Sequence, residues 1–211
     1  MKTTRFCLVR HGETDWNVER RIQGRADIPL NALGRAQAAA TANGLAGFAF
    51  AAVYSSDLER AWMTAEIAAR RLGLALAAEP GLRERHYGVF QGLTTAEAAE
   101  RFPAAHARYL ARDRHYDFEA GESLTRLAVR VTATVEALAE RHPGQSVLLV
   151  SHGGVLDVCY RRATGRDLSV PRDFPIPNAA LNWIEVGPQG WRLHSWADRR
   201  HLERTLEESA E

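Results

Sequence analysis

The chain is predicted to be an α/β protein in three layers, α/β/α, with a mainly parallel central sheet and a small helical cap insertion. Three observations predict this. Short apolar strands alternate with helix-length amphipathic segments, the pattern of a parallel sheet covered on both faces. The two strongest strands, Phe6–Val9 and Ser146–Val150, each run straight into a histidine followed by glycine. The stretch from about 86 to 121 breaks the alternation: it holds Gly88, Gly92, Pro103 and several tyrosines, arginines and histidines. It reads as an inserted cap of loops and short helices. The 211 residues fit one domain, 1–211, with this cap at about 86–121.

Phe6–Val9 is apolar and partly β-branched, a buried strand that ends in a turn at Arg10-His11-Gly12. Asn31 can cap a helix through about Leu45; Gly34 inside it costs local stability and implies close packing. Val53-Tyr54 is a second short strand. Ser56 is expected to cap the next helix, with Glu59 completing a capping box. Leu58, Ala61, Ala65, Ala68 and Leu72 follow at helical spacing.

Within the cap, short helices are expected near Thr94–Arg101 and Ala104–Arg112. Ser123 opens a long helix with Leu124, Leu127, Ala128, Val131, Val135 and Leu138 on one face, ended by Pro143-Gly144. A helix to about Arg162 should follow the second histidine. Leu181–Val186 and Trp191–Trp196 read as a hairpin joined at Gly187-Pro188-Gln189-Gly190. The acidic end, Leu206–Glu211, reads as a frayed tail.

Composition narrows the function. A net charge of +1 gives no bulk attraction for nucleic acid or a membrane, although a local basic pocket is still allowed. No stretch approaches the roughly 20 apolar residues of a membrane span, and the first residues carry no apolar run of signal-peptide length. Two cysteines, Cys7 and Cys159, make no disulfide framework and read as buried thiols. The expected compartment is the cytoplasm, and a homodimer stays open.

His11 and His152 each end a strand and each precede a glycine that lets the backbone approach a ligand. One such histidine reads as structural. Two at matching strand ends point to a site, because parallel sheets bind ligands at the carboxyl ends of their strands. The helices that follow would aim their amino ends at the pocket, which favours an anion. Arg10 adjoins His11, and Arg60 lies early in the helix after the second strand. Guanidinium groups suit bidentate phosphate binding, although either arginine alone reads equally as a solvated ion pair. A zinc site built from His11, Glu13, Asp15 and His152 was weighed; the spacing matches no trusted metal motif, and the arginines oppose a cation. No metal and no cofactor are expected.

The chain resembles the histidine phosphatase superfamily in its phosphoglycerate mutase-like branch. The resemblance is carried by Leu8-Val-Arg-His-Gly-Glu-Thr14, Trp16-Asn17, Gln23-Gly24, and Tyr54-Ser-Ser-Asp-Leu-Glu-Arg60-Ala with Thr64-Ala65. It continues in Leu82-Arg-Glu84, Gly88, Gln91-Gly92, Gly121-Glu-Ser123 and Val150-Ser-His-Gly-Gly154, in order across nearly the whole chain. The resemblance implies that His11 receives the phosphoryl group and that Arg10, Arg60 and His152 hold its oxygens. Glu84 resembles the family's proton donor, although in Arg83-Glu84-Arg85-His86 it reads by composition as a surface charge. Asn17, Gln23, Gly24 and Gly153 match positions around phosphate and substrate.

The family contains phosphatases and mutases. Glu84-Arg-His-Tyr-Gly88 with Gln91-Gly-Leu93 looks like the mutases. Against that, Thr94-Thr95 stands where mutases carry a lysine, and Asp113 interrupts the arginine pair at Arg112 and Arg114. Fewer cap cations weaken the grip on a carboxylate and on a retained bisphosphate. The expected function is therefore hydrolysis of a small phosphomonoester, with a phosphoglycerate mutase as the alternative. A non-catalytic phospho-ligand module is the reading from another class, and it predicts damage to a catalytic set that is intact here. Tyr87, Phe90, Arg114, His115 and Tyr116 are candidates for a specificity pocket or for cap packing.

Overall fold

Strand β1 (Thr4–Arg10) occupies an interior position in a six-stranded sheet of order β3-β2-β4-β1-β5-β6. Its partners are β4 (Ser146–Ser151), parallel, and β5 (Leu181–Gly187), antiparallel. Beyond β4 lie β2 (Ala52–Ser55) and β3 (Leu76–Ala78), both parallel; β6 (Gly190–Asp198) closes the other edge against β5. The computed structural model describes residues 2–203, so the acidic end at Leu206–Glu211 lies outside the described residues.

The alternation of side chains along β1 and β4 divides the core in two. Phe6, Leu8, Val147 and Leu149 face α6 (Leu124–Arg141) and α7 (Gly153–Thr164). Cys7, Val9, Leu148 and Val150 face α2 (Ala32–Leu45) and α3 (Glu59–Leu72). The result is three layers, α/β/α. Phe6 and Leu8 are at most 1% exposed. Burial of each is worth about 1.5–3 kcal/mol, which clamps the strand that carries the first histidine. Alanines at 38, 42, 61, 65 and 68 line the buried seam of α2 and α3, and such small side chains let the two helices sit close to each other and to the sheet.

Local signals place most elements. Asn31 caps α2 through its side chain, which accepts from Gly34 N. Ser123 caps α6 in the same way from Arg126 N, and the five buried apolar residues of α6 lie at helical spacing. The hairpin turn is tighter than expected: Gly187 and Gly190 still pair, leaving Pro188-Gln189 as the loop.

Three expectations are corrected. Ser56 does not cap α3. The helix starts at Glu59, and the side chain of Asp27 accepts from Glu59 N at 2.7 Å. A distant carboxylate satisfies the first orphan donor, and the serine is held elsewhere. Second, β3 was not foreseen. It has three residues and lies at the sheet edge, with little alternation for a sequence to display. Third, only one of the two histidine turns leads directly into a helix. His152 is the N-cap residue of α7, whereas His11 leads into Gly12–Thr14 and then a single-turn α1 (Asp15–Val18).

The segment from His86 to Gly121 contains a 3-10 turn (Gly88–Phe90), α4 (Thr95–Arg101) and α5 (Pro103–Leu110). It has an apolar cluster of its own in Phe90, Ala98, Ala105, Tyr116 and Phe118. Among the described residues no helix is long and apolar enough to cross a membrane. Both cysteines are free and buried.

Candidate active site

The register of β1 and β4 pairs Arg10 with Ser151. The residues one step beyond, His11 and His152, therefore leave the sheet side by side, and their ring centroids are 5.2 Å apart. His11 N donates to Ser151 O, extending the ladder by one bond. Gly12 then turns the chain onto α3, where its N–H meets Thr64 Oγ1 at 3.1 Å. This turn needs glycine. A Cβ on Gly12 would lie 2.3 Å from Gly34 O, and one on Gly34 would lie 2.0 Å from Glu13 O. The glycine inside α2 thus answers the glycine after the histidine.

The hydrogen bonds of His11 fix its tautomer. Nδ1 lies 2.7 Å from Gly12 O, an acceptor, so Nδ1 carries the proton. Nε2 keeps a lone pair, and Arg60 Nε donates to it at 3.3 Å. Burial, then the charges of Arg60 and Arg10, hold the imidazole well below the usual histidine range. The ring is neutral at neutral pH.

Arg60, the second residue of α3, is fully buried. Its Nη1 donates to Ala26 O at 2.8 Å and its Nη2 to Gly24 O at 2.7 Å. Burial lowers its pKa to about 10, which leaves it charged. Arg10 Nη1 donates to Ile176 O at 2.8 Å, while its buried Nε has no partner among the described residues. His152 is likewise held neutral by burial and by Arg60, and its Nδ1 is also buried without a partner. Arg10 lines one cavity with His11, whereas His152 packs behind it, its ring centroid 5.2 Å from that of His11 and outside the cavity lining; an unpartnered buried N–H on Arg10 suits a ligand that is rich in oxygen.

Glu84 reaches the same pocket from the other side. Its Oε2 accepts from Gly154 N at 3.0 Å in the first turn of α7, and its Oε1 from Arg85 N at 2.7 Å. A Cβ on Gly154 would stand 2.3 Å from Glu84 Oε1, so any larger residue there would have to displace the carboxyl group. Asn17, Gln23, Gly24 and Gly153 line the same cavity, about 150 Å³, together with Arg10, His11, Arg60 and Glu84. Asn17 is occupied as the capping-box residue of α1 with Thr14. Gln23 has a buried Oε1 with no partner among the described residues.

Several residues at the site were invisible in the sequence. The segment Ile176–Ala179 fastens the backbone at His11: Asn178 Nδ2 donates to His11 O at 2.8 Å and Ala179 N to Arg10 O at 2.8 Å. These contacts span more than 160 residues, and no local pattern announces them. Arg21 and Tyr109 line the cavity beside Tyr87. Of the specificity candidates, Tyr87 lines it. Phe90 is fully buried in the cap cluster, and Tyr116 borders a second cavity of about 230 Å³ that shares Tyr87 and Tyr109 with the first. Arg114 points away to pair with Asp167, and His115 is exposed.

Arg108, Arg112 and Arg114 are each engaged in ion pairs. Arg112 binds Asp157 Oδ2 at 3.2 Å and Leu168 O at 2.8 Å. Asp113 pairs with Arg108, and Thr94 serves as the N-cap of α4. Among the described residues, no group of three or more histidines, cysteines or carboxylates could hold a metal. Glu13 accepts from Asn31 Nδ2 at 3.0 Å.

The sequence model of the histidine phosphatase superfamily (branch 1) matches residues 6–199. Two Arabidopsis thaliana proteins are each 39% identical over 204 residues, or 95% of this chain. One is a metal-independent phosphoserine phosphatase, 84% of whose length is covered. The other is phosphoglycerate mutase-like protein 4, covered to 87%. The solved structure of Bacillus stearothermophilus YhfR superposes with a TM-score of 0.88 at 32% identity, covering 94% of this chain and 99% of that one.

Proposed function

The chain belongs to the histidine phosphatase superfamily and is a phosphatase, and from that premise we propose that it hydrolyses small phosphomonoesters through a phosphohistidine on His11. One observation carries the reading. A neutral imidazole, its proton committed to Gly12 O, offers Nε2 among the guanidinium groups of Arg10 and Arg60. Phosphoryl transfer needs positioning and charge stabilisation more than covalent ingenuity.

The steps follow from that geometry. The phosphoryl group enters between His11 and the two arginines, and Arg60 Nε turns from the lone pair of Nε2 to a phosphoryl oxygen. Nε2 forms a bond to phosphorus while the ester P–O bond breaks. The leaving alkoxide takes a proton from the Glu84 carboxyl group. The resulting carboxylate then takes a proton from water, whose oxygen bonds to phosphorus as the P–N bond breaks. Inorganic phosphate leaves, and His11 and Glu84 return to their starting states. Asn17, Gln23, Gly24 and Gly153 line the space for the phosphate and for the alcohol.

Residues 86–121 act as the cap of a single domain, and the cavity beside Tyr87, Tyr109 and Tyr116 takes the alcohol part of the substrate. The proposed compartment is the cytoplasm, where thiols such as Cys7 and Cys159 stay reduced. Water, not a second phosphate acceptor, resolves the phosphohistidine. Thr94 caps a helix, and Arg112 is tied to Asp157, so neither supplies a free cation to retain a bisphosphate. Phosphorus NMR of 3-phosphoglycerate with a trace of 2,3-bisphosphoglycerate tests this. Release of inorganic phosphate from esters, without efficient formation of 2-phosphoglycerate, is expected. Rapid equilibration of the two monophosphates with negligible free phosphate means a mutase.

A further inference from the structure

We propose that Ser56 is a positioning residue: it holds His152 in the tautomer protonated on Nδ1 and so makes that imidazole a neutral hydrogen-bond donor to the phosphoryl group. The donor role rests on the phosphatase reading above; the tautomer does not.

A count of donors and acceptors around one buried hydroxyl leads to this. Ser56 is fully buried between β2 and α3. Its backbone is held at both ends, by its own N–H on Val150 O at 3.1 Å and by Ser55 Oγ donating to its carbonyl at 2.8 Å. Its side chain has two polar neighbours. Leu58 N lies 3.3 Å from Oγ and can only donate. His152 Nε2 lies 2.8 Å away and can either donate or accept. If Nε2 donated, the hydroxyl would accept twice and its own proton would be buried without an acceptor, which folded proteins avoid. With the hydroxyl donating to Nε2, both the hydroxyl and Nε2 are satisfied, and Nδ1 alone is left without a partner, one orphan instead of two.

His152 is neutral, because burial and the charge of Arg60 oppose protonation. A neutral ring that accepts at Nε2 carries its proton on Nδ1. That nitrogen is fully buried and has no partner among the described residues. A bare lone pair there would repel a phosphoryl oxygen, whereas an N–H binds it. Sequence alone casts Ser56 as a helix cap. The structure removes that role and gives the hydroxyl one that only the β2–β4 pairing makes possible.

The test uses the whole protein with ¹⁵N-labelled histidine rings, the His152 signals being identified by their loss in His152→Gln. Wild type is expected to show a protonated Nδ1 and an unprotonated Nε2 at His152, and Nδ1 should shift when vanadate binds. A protonated Nε2 in the wild type overturns the proposal, and this spectrum needs no variant to fold. In Ser56→Ala the single tautomer should be lost and kcat should fall by about 10- to 100-fold, with KM changing far less. Ser56→Thr should restore the tautomer and most of kcat. An unchanged His152 spectrum and unchanged kcat in a folded Ser56→Ala overturn the proposal. A wild type with the expected tautomer that hydrolyses no ester and forms no adduct on His11 instead removes the phosphatase reading, and the donor role with it, while the Ser56–His152 pairing stands.

Discussion

Arg60 Nε donates to His11 Nε2 at 3.3 Å. The same guanidinium binds Gly24 O and Ala26 O through its other two nitrogens. One buried cation therefore does three things: it donates to the lone pair of His11, opposes protonation of that ring and anchors the wall of the cavity.

Replacement by lysine should separate these tasks. A single ammonium cannot reach three divergent acceptors as a planar fork does. Arg60→Lys is expected to lower kcat by about 10²- to 10³-fold. It should also cost about 1–3 kcal/mol of stability, because a buried carbonyl loses its donor. Steady-state kinetics and urea unfolding measure the two effects. Near-normal kcat would remove Arg60 from phosphoryl binding.

His11→Ala should abolish turnover, with a loss on the order of 10⁴- to 10⁶-fold, while the far-ultraviolet spectrum stays native. Quenching under non-acidic conditions should trap an acid-labile phosphoryl adduct on the wild type that maps to His11. An adduct on His152 or on a serine contradicts the assignment.

Burial and arginine charge hold His11 and His152 well below 6.5 in the folded chain. The unfolded chain binds their protons near 6.5. Above that pH neither state is protonated and their contribution to stability is complete. As pH falls from 6.5 toward the depressed folded values, the unfolded chain takes up protons first and stability drops. The slope should be about 1.4 kcal/mol per pH unit for each histidine. Urea unfolding between about pH 7.5 and 5.5 should show the loss, to which half-buried His201 adds in the same direction, and His11→Asn should reduce it. A flat profile excludes buried neutral histidines. The same depression keeps Nε2 available, so activity should not collapse as pH passes just below 6.5.

Glu84→Gln keeps an oxygen for the Gly154 N–H but removes the transferable proton. It should slow alkyl phosphates by about 10²-fold or more and activated aryl phosphates far less. Gly154→Ala should follow the same pattern, because its Cβ would displace the carboxyl group from 2.3 Å away. Equal losses for both ester classes would indicate a binding role for Glu84 instead.

Activity should survive excess chelator, and vanadate should inhibit by entering among His11, Arg10 and Arg60. Loss in chelator that zinc or manganese restores would mean that a metal takes part in the reaction.

By itself, the sequence determined most of the elements and the chemical inventory. Caps at Asn31 and Ser123, the spacing on α6 and the apolar runs at Phe6–Val9 and Ser146–Val150 are local signals, because they arise from neighbours within a turn or a strand. Ordered motifs likewise supplied His11, Arg60, Glu84 and His152 as types in sequence, without saying which of their atoms meet. The tertiary structure decided that β1 and β4 are neighbours in a register that sets the two imidazoles side by side. It also decided that Gly12 O selects the tautomer of His11, that Asn178 braces its carbonyl, and that Asp27 rather than Ser56 caps α3. Apart from the turn at Gly12, these are pairings of groups brought together from distant parts of the chain, the Asp27 cap at the surface and the Asn178 brace partly buried. Packing decides them: the sheet must bury Phe6, Leu8, Val147 and Leu149 on one face, and each polar atom then takes the partner that the packed elements leave within reach.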